Sequence, residues 1–171
     1  MSIVRFAALF LMLGVTACSQ LEPVETPAAF SPIVPNGQIT KGRCHMGGCS
    51  WVKWVDVEKL SSSDTELELR ATLLSGGSEH QPGAGSTEDP QYPTSPEGVA
   101  IGWDAQPRTE RILCSYRAPS VANEVLPLNQ ETGVYGSQES AAEVYFAACH
   151  SYFAGYVSGI REFGYDVKGQ D

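Results

Sequence analysis

Basic residues are scarce in this chain: eleven lysines and arginines stand against twenty aspartates and glutamates, a formal charge of −9. That balance argues against a nucleic-acid partner, because phosphate binding needs a basic stripe to displace counterions. A cationic protein suits the acidity better, although the same charge also serves solubility. Histidine and methionine are sparse too, three of each in 171 residues. No run of eighteen apolar residues occurs, so the sequence predicts no membrane-spanning helix. The Gly-x-Ser-x-Gly elbow, the phosphate-binding glycine loop and the His-Glu-x-x-His helix are missing, and with them the usual marks of hydrolases, nucleotide enzymes and zinc proteases.

The N terminus does hold one basic residue, Arg5, then the apolar stretch Phe6–Val15, then Thr16-Ala17-Cys18. The apolar stretch is shorter than the ~20 residues a spanning helix needs. Small residues running into a cysteine resemble the lipobox of bacterial lipoprotein precursors. The resemblance implies cleavage before Cys18, a diacylglyceryl thioether on its sulfur and acylation of the new amine. Ser19, standing where aspartate would retain a lipoprotein at the inner membrane, implies an outer-membrane location facing the periplasm. Two or three acyl chains exceed the two signals that stable anchoring needs. Removal of residues 1–17 from the 171 leaves 154, a length for one domain, and loss of Arg5 takes the formal charge from −9 to −10.

Residues 18–40 read as a lipidated tether. Pro23, Pro27, Pro32 and Pro35 interrupt it, and no helical or strand period runs through it. A single globular domain is expected over 41–171. Trp51–Val57 is rich in β-branched and aromatic residues and predicts a strand with imperfect alternation. Thr65–Leu74 alternates cleanly, with Leu67, Leu69, Ala71 and Leu73 on one face and Glu66, Glu68, Arg70 and Thr72 on the other. Val99–Trp103 and Arg111–Tyr116 predict two more strands, joined by a hairpin loop over 104–110. Residues 75–98, rich in Gly, Pro and Ser and free of Lys and Arg, predict a mobile loop.

Ser140-Ala-Ala-Glu143 fits a capping box, and apolar positions then recur through Ala142, Tyr145, Phe146, Cys149, Tyr152, Phe153, Tyr156, Val157 and Ile160. The expectation is one amphipathic C-terminal helix, with Glu143, Ala147, His150 and Ser151 on its far side. The fold class expected is α+β: a small antiparallel sheet of about four strands, the helix packed on one face, and disulfide staples.

Four cysteines remain besides Cys18, an even number in an oxidising compartment, where disulfides are the default. Cys114 shares a strand face with Ile112 and Tyr116, and Cys149 lies in the helix's apolar stripe. Helix on sheet would bring these two together and leave Cys44 to Cys49; the crossed pairings are the alternative. The stretch Cys44-His-Met-Gly-Gly-Cys49 offers too few ligands for a structural zinc site, and four residues between its cysteines do not make a thioredoxin-like pair. Copper held by His45 and Met46 is the sharper metal alternative, but a closed disulfide turn fits Gly47-Gly48 better. No cofactor is expected.

His150 follows Cys149 directly, so on a helix their side chains diverge and cannot act as nucleophile and base. The function expected is that of a non-catalytic envelope lipoprotein, a protein-binding, inhibitor-like or scaffold module. A small periplasmic enzyme is the alternative, and a copper carrier the next. In size, lipobox and acidity the chain is similar to small disulfide-bonded envelope lipoproteins that inhibit lysozyme, though it carries no signature motif of theirs. The candidate partner-binding set is Glu66, Glu68, Glu88, Asp89 and Tyr92, carboxylates with an aromatic anchor for a cationic envelope or foreign protein.

Overall fold

In the computed structural model the described residues are 29–82, 90–128 and 134–165. Seven strands form one antiparallel sheet: β1 (Ile39–His45), β2 (Gly48–Ser62), β3 (Glu66–Glu79), β4 (Gly102–Trp103), β5 (Arg108–Ser115), β6 (Ser120–Val121) and β7 (Glu124–Val125). Their order is β1-β2-β3-β5-β6-β7, with β4 also on β3. Two short helices follow, α1 (Ser137–His150) and α2 (Tyr156–Glu162).

The expected α+β arrangement is thereby corrected. The protein is mostly β, a curled half-barrel with only two short helices, rather than a four-stranded sheet under one long helix. The curl follows from β2 and β3, fifteen and fourteen residues long, since long paired strands twist and bulges sharpen the twist. Two register shifts fall in β2, at Val55 and at Leu60, each leaving one residue without a partner on β3.

Clean alternation in β3 does place Leu67, Leu69, Ala71 and Leu73 in the core. The predicted hairpin over 104–110 is absent. Both β4 and β5 run antiparallel to β3, at Gly76–Gly77 and at Glu66–Leu73, so chain 102–115 is one interrupted strand. Ser75–Glu79, read as the start of a loop, belong to β3, and residues 83–89 of that loop lie outside the described residues.

The first hairpin turns at Met46-Gly47, both at positive φ, the pairing a two-residue turn requires. Cys44 faces Cys49 directly across it, and the disulfide between them joins Cα atoms 4.0 Å apart. The second disulfide, Cys114–Cys149, pins β5 to α1. The favoured pairing is the one present.

Helix α1 lies against β1, β5 and β6 and fills the curl. It begins at Ser137, not at a Ser140 cap. Ser140 Oγ instead accepts the Arg43 N–H at 2.9 Å and meets Ser50 Oγ at 2.9 Å, fastening the helix to β1 and β2. The single long helix is also corrected: Ser151 takes the left-handed conformation, and the Ser151 and Tyr152 N–H groups close α1 onto Ala147 and Phe146 carbonyls. Ala147 and His150, expected on a solvent side, are buried. Gly159 lets α2 approach α1, since a Cβ there would stand 2.8 Å from the Phe146 ring.

Candidate functional site

Residues 29–38 pack on the domain rather than leading up to it. Phe30 stacks on Tyr116 at 5.2 Å, the Ser31 N–H bonds the Cys149 carbonyl at 2.8 Å, and Trp54 exchanges backbone bonds with Gly37 and Gln38. Between this segment, the end of the β2–β3 hairpin and the residues after β5 lies an open cleft of about 600 Å³. Phe30, Pro32, Leu67 and Tyr116 give it apolar walls, and Lys59, Asp64, Glu66 and Arg117 give it charges of both signs. Burial raises the Tyr116 phenol above its ordinary range, so the ring enters the cleft as a neutral surface.

Glu66 reaches this cleft, where its carboxylate accepts the Ser115 hydroxyl at 3.0 Å. The rest of the candidate binding set is elsewhere. Glu68 faces the outer side of the sheet and pairs with Arg111 at 2.7 Å, beside the Glu58–Arg70 pair. Tyr92 sits at the far end of β3, where its hydroxyl accepts the Gly47 N–H at 2.9 Å. Thirteen residue steps along β3, roughly 40 Å of strand, separate the two ends. Glu88 and Asp89 lie outside the described residues. The structure thus does not assemble Glu66, Glu68 and Tyr92 into one patch.

Tyr92 belongs to a second small cluster, on the outer face. The Trp51 indole N–H donates to Ser78 Oγ at 2.7 Å, and that hydroxyl meets His80 Nε2 at 2.7 Å. A serine against a histidine is where nucleophilic catalysis begins. Here Ser78 is buried and already holds the indole, so the pair links Trp51 to the segment around Tyr92. Among the described residues Met46 is the most exposed large apolar side chain, and no three His, Cys, Asp or Glu side chains gather as metal ligands.

On the inner side the Tyr145 hydroxyl bridges the Ser115 backbone and the Tyr165 hydroxyl, which in turn meets His150 Nε2 at 2.9 Å. Burial raises both phenols and pushes the His150 imidazole down to about 4, so the ring is neutral at physiological pH. His150 Nδ1 has no hydrogen-bond partner among the described residues. The network staples α1 to β5 from within the core.

Sequence reasoning missed the cleft. Phe30 was the available signal, a lone aromatic in a proline-rich stretch, but its partner Tyr116 is 86 residues away and no local pattern joins them. Comparison of the chain with protein-family models, with curated proteins and with solved structures finds no match.

Proposed function

We propose that the protein is a lipid-anchored module of the outer membrane, facing the periplasm, that binds another protein and does no chemistry of its own. The observation that carries this reading is the open cleft beside Phe30 and Tyr116. Aromatic walls with a mixed-charge rim are the composition of a protein-binding surface, an apolar centre that excludes water and polar edges that select the partner. The cleft also stands where the tether would enter. Ala29 lines it, and eleven residue steps lead from Cys18 to Ala29, a reach of at most ~40 Å. An anchored domain would therefore hold its cleft close to the membrane surface, where envelope proteins pass.

The deciding experiment compares the full chain, in detergent, with an Asp64→Lys, Glu66→Lys double variant as bait for envelope extract. Both residues are exposed, so the variant keeps the fold. A partner retained by the parent and lost by the variant supports the reading. Equal recovery by both, or none by either, goes against it.

A further inference from the structure

Strand β2 outruns β1. Pairing with β1 ends at Ile39↔Lys53, and Gly37 and Gln38 satisfy the backbone of Trp54. From Val55 to Ser62, β2 has β3 on one side and no strand on the other among the described residues. About half of its N–H and C=O groups there point away from β3. The segment Pro32–Asn36 runs beside this edge, yet no hydrogen bond joins the two. A gap separates them instead: a cleft of about 280 Å³ at Asp56 and Val57, then the larger one at Lys59 and Ser62, with Pro32 lining both.

Resting on the protein-binding reading above, we propose that this slot takes an extended segment of a partner protein, added as a strand to β2 over Asp56–Lys59, with apolar and basic side chains in alternation. The two bulges set the length, because they break the register at Val55 and Leu60 and leave four regular residues between. Register with β3 sets the pattern. Val57 and Lys59 pair with Ala71 and Leu69 and so face inward, towards the clefts; Asp56 and Glu58 pair with Thr72 and Arg70 and face outward. A strand laid on this edge turns every second side chain towards the clefts, where Pro32, Val57 and Phe30 offer apolar contact, and sets the others beside two carboxylates.

The same geometry speaks against a second copy as the occupant. Directly opposed residues of antiparallel strands share a face, so self-pairing would set Asp56 and Glu58 against Asp56 and Glu58 of the other chain. Like charges opposed in this way repel, and each chain carries a formal −9. The occupant is a cationic chain of different sequence.

The test uses the full chain in detergent and four blocked eight-residue peptides: one alternating valine and lysine, one with the same residues in two blocks, and two alternating peptides N-methylated at every second residue, on one edge and on the other. We expect the alternating peptide to bind about tenfold or more tightly than the block peptide, and N-methylation of one edge to remove that advantage. Amide exchange on binding should slow within 55–62. An Asp56→Asn, Glu58→Gln variant should weaken the alternating peptide by about tenfold while its melting temperature falls by no more than the loss of the exposed Glu58–Arg70 pair accounts for. Equal binding of alternating and block peptides, indifference to N-methylation on both edges, or protection outside 55–62 would overturn the added strand. If that happens while the Asp64→Lys, Glu66→Lys bait still loses its partner, the strand fails and the protein-binding reading stands.

Discussion

Trp51 stands opposite Gly76 across β2 and β3, and the rings of Trp103 fill the space a side chain at Gly76 would need. A Cβ there would lie 2.6 Å from Trp103 and 2.7 Å from Ile101. One missing side chain thus lets Trp103 of β4 and Ile101 before it lie over the outer face at Gly76, beside Trp51. Gly76→Ala should push that cover off, at about 1–3 kcal/mol, with a red shift of tryptophan emission. Gly77→Ala is the control, since its Cβ would meet only a carbonyl at 3.9 Å. Urea denaturation of both variants checks the point, and equal losses would show that the cover does not depend on the gap.

The two disulfides should differ in worth. Cys114–Cys149 closes a loop of 35 residues in sequence separation and Cys44–Cys49 one of 5. Loop-closure entropy of the unfolded chain gives about 4 kcal/mol for the first and about 2 for the second. Paired Cys→Ala variants should therefore lose stability in that order. A larger loss at 44–49 would mean that the first hairpin, and not the helix-to-sheet staple, holds the domain together.

The legible parts of this fold are those where the two sides of an element differ in polarity. Leu67, Leu69, Ala71 and Leu73 against Glu66, Glu68, Arg70 and Thr72 fixed β3 and its inward face. The cysteines followed, because Cys114 and Cys149 lie on inward faces of β5 and α1. Strand β2 was only half legible: bulges at Val55 and Leu60 shift which residues point inward, so Val57 and Lys59 share a face that strict alternation from Trp54 would not give them. The helix break at Ser151 was hidden because its left-handed residue is a serine and not a glycine. The cleft was invisible because it depends on Phe30 returning to Tyr116, a contact set by the whole curl of the sheet.

His150 makes stability depend on pH in a narrow window. Burial lowers its folded pKa to about 4, whereas an unfolded histidine titrates near the ordinary 6.5. Between those values the unfolded chain takes up a proton that the folded one refuses. The contribution of neutral His150 is therefore complete above 6.5 and falls away as pH drops towards 4. Burial raises the Glu143 carboxyl, which acts in the opposite direction, so the slope must be read against a variant. His150→Phe keeps an aromatic ring against Phe163 and removes the titration. Its urea midpoint should fall less than that of the parent between pH 6.5 and 4. Parallel curves would show that His150 is solvated well enough to titrate normally.

The proposed lipid anchor would decide where all of this operates. Cys18 lies outside the described residues, and its role rests on the apolar stretch Phe6–Val15 running into Thr16-Ala17-Cys18. A thioether needs the cysteine sulfur, so Cys18→Ser should abolish metabolic labelling with a fatty acid and leave the chain at precursor size. Acyl chains bind a bilayer through buried methylenes at ~0.8 kcal/mol each, so the labelled parent should sediment with membranes even in high salt. Ser19→Asp then separates the membranes: the parent should fractionate with the outer membrane and the variant with the inner. Labelled, membrane-bound protein of mature size in the Cys18→Ser strain would remove the anchor. The cleft at Phe30 would then belong to a domain free to diffuse, with no fixed distance to any membrane.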